Sequence, residues 1–518
     1  MQTSSVSSTG INCIDSLLTG DKWGDAAGIA ATLSYSFPYA DSTSALWERD
    51  YSDDNEPWNF SIGGLNTTQQ QAAVLAVQQW ASVANIDFNE VQEGGDGVGA
   101  IRFTLIDSPT EDETWGWAYF PSSYGETGGD VWLNAPVLEQ EWDVGSVNFS
   151  SLLHELGHAL GFKHSFEDGV TLPTDEDSNQ YTVMSYTEHK YANYREVTET
   201  ATNYSWTISP VQPQTPMLYD IAAMQHLYGA NMDYATEDDL YTFDPQTPFF
   251  KTIWDAAGND TLSVQNFTEN CLLDLRAGKF STLTILSDSL PEWSTEEEGD
   301  AILYDGTDNL AIAFNVVIEN AMGGRGNDVF IGNSVDNILT GGEGIDFLIS
   351  DEILSGSSVQ KLGEGLAFEL LHDAGDIDSL VDIERLIFSD KGLALDLSGA
   401  AGKAAKILGA TFGAESVDNS AYVKIGLDLL GDGMSYEDLT ALAIEAAGAT
   451  TNEQVVDLLW TNLVGSHPSS AQAQPYVQML NDGMSAGELG VFAADLELNH
   501  NNIDLLGLAQ TGLVFDLA

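Results

Sequence analysis

The sequence predicts an α+β domain over residues 1–234, turn-rich β-structure over 235–397 and an all-α repeat domain over 398–518. Three observations carry that division. Residues 1 to about 230 hold most of the Trp and alternate helix-like with strand-like segments. Short β-branched runs punctuated by Gly, Asn and Asp follow. Finally, LGDGMSYEDLTALA (430–443) returns as LNDGMSAGELGVFA (480–493), 50 residues later.

In the first part, TTQQQAAVLAVQQWASVA (67–84) places Val74, Val77, Ala81 and Ala84 at helical spacing behind a Thr cap, while AIRFTLI (100–106) alternates as a strand does. In the second, LLDL (272–275), LTIL (283–286), NVVI (315–318) and DVFI (328–331) read as short strands. In the third, each Gly-Met-Ser unit reads as a helix end followed by a new Ser N-cap, which predicts a repeated helical hairpin.

The balance of 16 Lys+Arg against 80 Asp+Glu gives a formal net charge of −64. Such a field repels nucleic-acid phosphates and anionic lipid headgroups, which excludes nucleic acid as a partner. At 43% hydrophobic residues the chain has the means to bury several cores, so wholesale disorder does not fit. Cys13 and Cys271 stand too far apart for a thiolate metal cluster or a disulfide framework. No stretch is long and apolar enough to span a bilayer. The first twenty residues lack a basic start and an apolar core, so export, if it occurs, is expected without an ordinary N-terminal signal peptide.

The chemistry is concentrated in HELGHALGFKH (154–164). His154 and His158 lie at i and i+4, one turn apart on one helix face, the spacing that two zinc ligands need. Glu155 points to a neighbouring flank, where it reaches a water rather than the metal. Gly161 lets the chain leave the helix in a conformation that side chains resist, and the turn brings His164 round as a third ligand. Three imidazoles leave one position open. Zinc there lowers the pKa of water toward neutrality, Glu155 takes the proton, and the hydroxide attacks a polarised carbonyl.

With YTVMSY (181–186) following, the chain resembles the metzincins, and within them the serralysins, secreted RTX zinc metalloproteases. The resemblance implies an α+β metzincin catalytic domain in which Met184 forms an apolar floor beneath the metal. It also implies that Tyr186 is a further zinc ligand and oxyanion stabiliser. GGDVWLN (128–134) resembles the family's edge strand, along which a substrate adds as an extra strand. Further matches are TLSYSF (32–37), QQWASVANIDFNEV (78–91) and PMLYDIAAMQHLYGANM (216–232), so the resemblance runs from about residue 20 to 350. Little sequence precedes GDKWG (20–24), leaving room for only a very short prosegment.

A second metal is expected on separate grounds. GGRGNDVFI (323–331), GNSVDNILT (332–340) and GGEGIDFLI (341–349) are consecutive nonapeptides whose Gly-rich halves make turns with carbonyls and Asp facing a hard cation. The ligand candidates are Gly324, Gly326, Asp328, Asn333, Asn337, Gly342, Gly344 and Asp346. In the calcium-binding parallel β-roll of RTX proteins two nonapeptides complete one turn, so Asp328 and Asp346 would flank a shared calcium. The middle copy carries Val335 and Asn337 where the pattern has Gly and Asp, and the Gly pattern stops after Ile349, which predicts a short roll. The family resemblance adds Asp255, Gly258 and Asp260 in WDAAGND (254–260), Glu319, and Glu237 and Asp239 in ATEDD (235–239) as further calcium ligands.

Beyond residue 398 the chain resembles a helical repeat found after RTX segments in bacterial secreted and surface proteins, with DIERLIFSDKGLALDLSGAAGKAAKI (382–407) as lead-in and VVDLLWTNLVG (455–465) as a first helix. VFDLA (514–518) loosely fits an acidic-hydrophobic secretion signal, and the resemblance implies a dedicated one-step (type I) secretion apparatus as partner. The reading is thus a secreted, calcium-stabilised zinc endopeptidase acting on proteins or peptides. A rival reading is a secreted calcium-dependent adhesin or matrix protein with a vestigial protease domain. Nothing in the sequence fixes an oligomeric state. The acids not assigned to calcium, such as EDET (111–114) and TEEE (295–298), read as solvated surface.

Overall fold

The computed structural model describes residues 1–40, 47, 51–52, 56, 61–93, 97–107, 114–123, 127–294, 301–363 and 365–517. Residues 111–113 of EDET and all of TEEE lie outside them. The chain forms two compact units: Met1–Thr261 with Asp274–Ile318, and Leu262–Leu273 with Glu319–Ala518.

The first unit is built on a sheet of strands Ala31–Ser36 (β1), Ser61–Gly63 (β2), Ile86–Glu90 (β3), Ile101–Asp107 (β4), Gly116–Ala118 (β5) and Val131–Asn134 (β6). Their order is β3-β1-β4-β6-β5, with β2 also on β4. β1 pairs in parallel with β3 and β4, β4 pairs in parallel with β6, and only β2 and β5 run antiparallel. Ile101 to Thr104 are all buried, so β4 does not alternate inside and outside as its sequence suggested; it lies mid-sheet with both faces covered.

GGDVWLN does not supply the edge. Its β6 is buried throughout and sits between β4 and β5, because Val131, Trp132 and Leu133 need apolar cover on both faces. The edge is β5, three residues beginning with Gly116. Asn134 N donates to Trp115 O at 2.8 Å and Tyr119 N to Asp130 O at 3.0 Å. With alternate residues turned toward β6 in this way, Gly116 and Ala118 direct their N–H and C=O groups outward.

Helix Thr67–Val83 (α1) is capped by Asn66 rather than a Thr, through a capping box with Gln69. Its buried stripe is Ala72, Ala73, Ala76, Val77, Trp80 and Val83. Val74 and Ala81 are only half-buried, because the fully buried Trp80 sets which face turns inward. Helix Val147–Leu160 (α2), capped by Ser146, carries the first two histidines, and helix Leu218–Tyr228 (α3) packs in the same unit. Segment 187–215 contains an antiparallel hairpin of Asn193–Glu199 with Tyr204–Pro210. Two expected strands are absent: LTIL and NVVI lie outside regular strands. Leu283 is instead held by the Asn309 side chain, which accepts from its N–H at 3.0 Å and donates to its carbonyl at 2.9 Å.

In the second unit, strands Asn320–Met322 (β7), Val329–Ile331 (β8), Ile338–Thr340 (β9) and Phe347–Ile349 (β10) alternate between two sheets. β7 pairs in parallel with β9, and β8 with β10 in the register Val329↔Phe347, which stacks the nonapeptides beginning at 323 and 341. The stacking does not end at Ile349. After a hairpin of Ser358–Lys361 (β11) and Ala367–Leu371 (β12), strand Ile377–Val381 (β13) adds in parallel to β9 and Arg385–Ile387 (β14) to β10. This extra turn has no Gly-rich nonapeptide to announce it.

Strand Gly392–Ala394 (β15) leads to helices Ala400–Phe412 (α4), Ser420–Gly431 (α5), Tyr436–Ala446 (α6), Asn452–Val464 (α7), Ser470–Asn481 (α8) and Ala486–Ala494 (α9). Ser435 and Ser485 cap α6 and α9 by accepting from Asp438 N and Glu488 N. This region is not purely helical. Leu513–Phe515 (β16), which overlaps VFDLA, pairs antiparallel with β15. Among the described residues no helix is long and apolar enough to cross a membrane.

Candidate active site

Three fully buried aromatic side chains fix α2 by donating to its backbone. Trp23 Nε1 donates to Ala159 O at 2.8 Å, Tyr228 Oη to Leu160 O at 2.7 Å and Trp80 Nε1 to Leu153 O at 3.2 Å. The last two carbonyls of the helix, which would otherwise lack partners, are thereby satisfied. Gly161 ends α2 at φ +123°, and a Cβ there would lie 2.8 Å from Asp21 O. The exit is held by Leu17, whose carbonyl accepts from Lys163 N at 2.8 Å, and by Thr19, whose N–H and hydroxyl both donate to Gly161 O. His164 is thereby returned toward the helix.

The Nε2 atoms of His154 and His158 lie 3.2 and 3.1 Å from Nε2 of His164. Their other ring nitrogens are occupied: His154 Nδ1 donates to Val183 O at 2.7 Å and His158 Nδ1 to Phe162 O at 2.8 Å. Those bonds place the protons on Nδ1 and leave the Nε2 lone pairs facing inward. The Glu167 carboxylate is 2.7 Å from His164 Nδ1, yet off the line of that N–H, so the contact is electrostatic. Bonds of about 2.0–2.1 Å to a tetrahedral zinc separate ligand nitrogens by about 3.3 Å, so this triad has the chemistry and spacing for that ion. Burial lowers the pKa of His154 to about 4 and that of His158 well below the ordinary imidazole value, keeping both in the neutral, metal-binding form. Tyr186 Oη is 2.8 Å from His164 Nε2, while its ring is largely exposed and stacks on His154.

Glu155 is buried, its Oε2 has no hydrogen-bond partner, and burial pushes its pKa up to about 8. It shares a cleft of about 490 Å3 with His154, Tyr186 and Gly116 of the edge strand β5. Met184 is fully buried, and its Sδ would be 2.5 Å from a Cβ on Gly157, so it packs against the helix between the two histidine turns.

Asp220 on α3 was not singled out by sequence. It is fully buried, its Oδ1 accepts from Thr182 Oγ1 at 2.5 Å, and its Oδ2 accepts from Val183 N and Met217 N, both at 2.8 Å. Thr182 Oγ1 in turn accepts from Met184 N at 3.0 Å. One carboxylate therefore holds the turn that orients His154 through Val183 O and seats Met184. Its only trace in the sequence is the acid of PMLYD.

The carboxylates expected to bind calcium fall into separate groups. In the first unit, Asp239, Asp255 and Asp260 bring one oxygen each within 4.8 Å of one another. A Cβ on Gly258 would be 2.2 Å from the carbonyl of Glu237, which therefore faces this group with its backbone while its side chain is exposed. Burial, with Asp260 and Asp239 nearby, raises Asp255 to about 6.

In the second unit, Asp328 accepts from Gly324 N at 2.6 Å and Cys271 N at 2.7 Å, and its own N–H donates to Asp346 Oδ1 at 2.7 Å. Asp346 N donates in turn to Glu384 Oε2 at 2.8 Å, so Glu384, unremarked in the sequence, continues the column. Asp346 Oδ2 is buried without a partner. Gly342 and Gly344, at φ +111° and +125°, are required because a Cβ would collide with the carbonyls of Gly324 and Gly326. The other side of the roll is closed differently: the amide of Asn337 donates to Glu319 O and to Asn333 Oδ1, both at 3.0 Å, and Asn337 N donates to Asp378 Oδ1.

Residues 58–185 match the matrixin family of peptidases, and residues 219–290 and 305–408 match the C-terminal domain of the M10 serralysin peptidases. The chain is 32% identical over 344 residues to a serralysin of Proteus mirabilis, covering 60% of this chain and 61% of that protein. It is 31% identical over 354 residues to a serralysin of Photorhabdus laumondii, covering 62% and 64%. It is 29% identical over 330 residues to the metallopeptidase AprA of Pseudomonas marginalis, covering 59% and 61%. The chain thus spans about three fifths of the length of these relatives.

Proposed function

Over residues 58–408 this chain is a serralysin-like metzincin, and on that premise we propose that it is a secreted zinc endopeptidase that hydrolyses peptide bonds of extracellular proteins. The observation that carries the reading is the convergence of three Nε2 lone pairs beside the unpartnered carboxylate of Glu155. His154, His158 and His164 would hold the ion, with Tyr186 as a further oxygen ligand. A zinc bound there supplies Lewis acidity for the scissile carbonyl and for an attacking water.

The chain's own groups account for the rest. The outward N–H and C=O of Gly116 and Ala118 bind an extended substrate antiparallel to β5. Glu155, with no protein donor to satisfy it, accepts a proton from water and returns it to the leaving nitrogen. Tyr186 offers its hydroxyl to the developing oxyanion. Met184, Asp220 and Gly161 keep the ligands in place and touch no substrate.

We further propose the functional parts as catalytic (1–234), calcium-binding roll (235–397) and helical repeat (398–518). Calcium would occupy the Asp239, Asp255, Gly258 and Asp260 group, with the Glu237 carbonyl, and the column of Gly324, Gly326, Asp328, Gly342, Gly344 and Asp346 extended by Glu384. At Glu319, Asn333 and Asn337 the amide donors of Asn337 lie among oxygens a cation would otherwise draw together, so that site is the weakest. Export through a one-step apparatus goes with the serralysin-like part. Casein digestion tests the activity: it should stop with a zinc chelator and return when zinc is restored. Digestion that ignores the chelator, or no digestion by the zinc-loaded chain, contradicts the reading. The adhesin alternative has no comparable observation behind it.

A further inference from the structure

The helical segment carries two apolar grooves, and the 50-residue repeat relates them. The first, of about 360 Å3, lies where α6 meets α4 and α5; the second, of about 210 Å3, lies where α9 meets α7 and α8. Helices α5 and α8 begin 50 residues apart, as do α6 and α9. Leu439 and Leu442 in the first groove correspond by that offset to Leu489 and Phe492 in the second, while α4 lines the first with Ile407 and α7 the second with Leu459. Leu439 and Leu489 are buried, but Leu442 is 44% and Phe492 51% exposed. Both copies of the repeat thus leave an apolar side chain uncovered at the same position.

The surroundings select the occupant. Residues 398–518, which hold both grooves, contain 15 Asp and Glu against three Lys, of which Lys406 is bound to Asp495 at 2.6 Å and Lys424 to Asp428 at 2.8 Å. A second copy of the chain would bring the same acidic surface against itself, whereas a cationic segment gains from it. A helix presenting apolar residues at i, i+3 or i+4 and i+7 fits a groove between helices, and Lys or Arg on its flanks answers the carboxylates. The first volume lies within the range of ordinary binding clefts, about 300–1,000 Å3, and the second lies below it.

We propose that the helical repeats are a two-site docking module for cationic amphipathic helices of other proteins, with one helix in each groove. The module needs no catalytic residue and stands apart from the protease reading. The test is calorimetric titration at physiological salt of the full chain carrying Glu155→Ala, so that the probe is not cut, with an 18-residue Leu/Lys peptide of helical periodicity. Two sites per chain are expected. Leu442→Glu should leave one, Phe492→Glu one and the double variant none, with circular dichroism unchanged; Leu442→Ser and Phe492→Ser provide milder versions should either acidic variant lose helix. Undiminished binding by the double variant overturns the proposal, as does equal binding of a scrambled peptide of the same composition or of a Leu/Glu peptide. So does a dimer of the chain that the double variant abolishes, since the occupant would then be a second copy.

Discussion

The sulfur of Met184 fills the space that a side chain on Gly157 would need, with Sδ 2.5 Å from the position of a Cβ there. Gly157 lies between the two ligand-bearing turns of α2, and Met184 belongs to the loop whose Val183 carbonyl orients His154. The contact couples helix and loop through packing alone. Gly157→Ala should therefore push the loop away despite its better helix propensity, at a cost of about 1–3 kcal/mol typical of overpacking. Thermal unfolding and zinc affinity should both fall. A variant as stable as the parent would show that Met184 yields freely.

The edge strand gives a second prediction. Ala118 turns its N–H away from β6, so Ala118→Pro removes a donor for substrate without breaking a bond within the sheet. One hydrogen bond is worth about 0.5–1.5 kcal/mol net, so kcat/KM on peptides should drop about two- to tenfold while zinc content stays constant. Unchanged kinetics on long peptides would remove β5 from substrate binding.

The acid column makes stability depend on pH and calcium together. Burial, with neighbouring carboxylates, raises Asp346 and Glu384 to about 7, whereas unfolded carboxyls titrate near about 4. Folded, these groups hold their protons to higher pH than unfolded. Their contribution to the calcium-free protein is therefore fully present below about pH 4 and is lost as pH rises through about 7. In chelator the melting temperature should fall from pH 5 to pH 8, and calcium should remove most of that fall. Asp346→Asn should flatten the pH profile in chelator and weaken the calcium response; an unaltered slope would place the effect elsewhere.

Asn337 supplies the converse case. Its amide donates to Glu319 O and Asn333 Oδ1, so Asn337→Asp replaces a donor with a negative charge among acceptors. The variant should melt earlier in chelator and respond more strongly to calcium, with one more ion per chain by mass spectrometry under native conditions. No gain in bound calcium would show that this side of the roll lacks the geometry for a cation.

Much of this was legible in sequence because the residues act through short-range spacing. His154, His158, Gly161 and His164 converge as their i, i+4 and turn positions suggested, and the nonapeptides at 323 and 341 stack in register. What escaped depends on partners distant in sequence. Asp220 acts across about forty residues on Thr182 and Val183, and Glu384 joins Asp346 only because a hairpin intervenes before the next parallel strand. The edge strand was misplaced for a related reason. Val131 to Leu133 have the β-branched and aromatic texture of a strong strand, but such residues are covered on both faces here, and the true edge is a three-residue strand beginning with Gly. Leu283 shows the opposite failure, an apolar run held extended by the Asn309 side chain rather than by a neighbouring strand.

In the proposed mechanism Glu155, beside the histidine triad, is the proton acceptor of a zinc peptidase. The most direct measurement is protein hydrolysis by Glu155→Ala alongside its zinc content. With the fold intact and one zinc retained per chain, turnover should fall by at least the 10²–10⁴-fold usually attributed to a general base. Hydrolysis near the parent rate in a zinc-loaded Glu155→Ala protein would contradict the account.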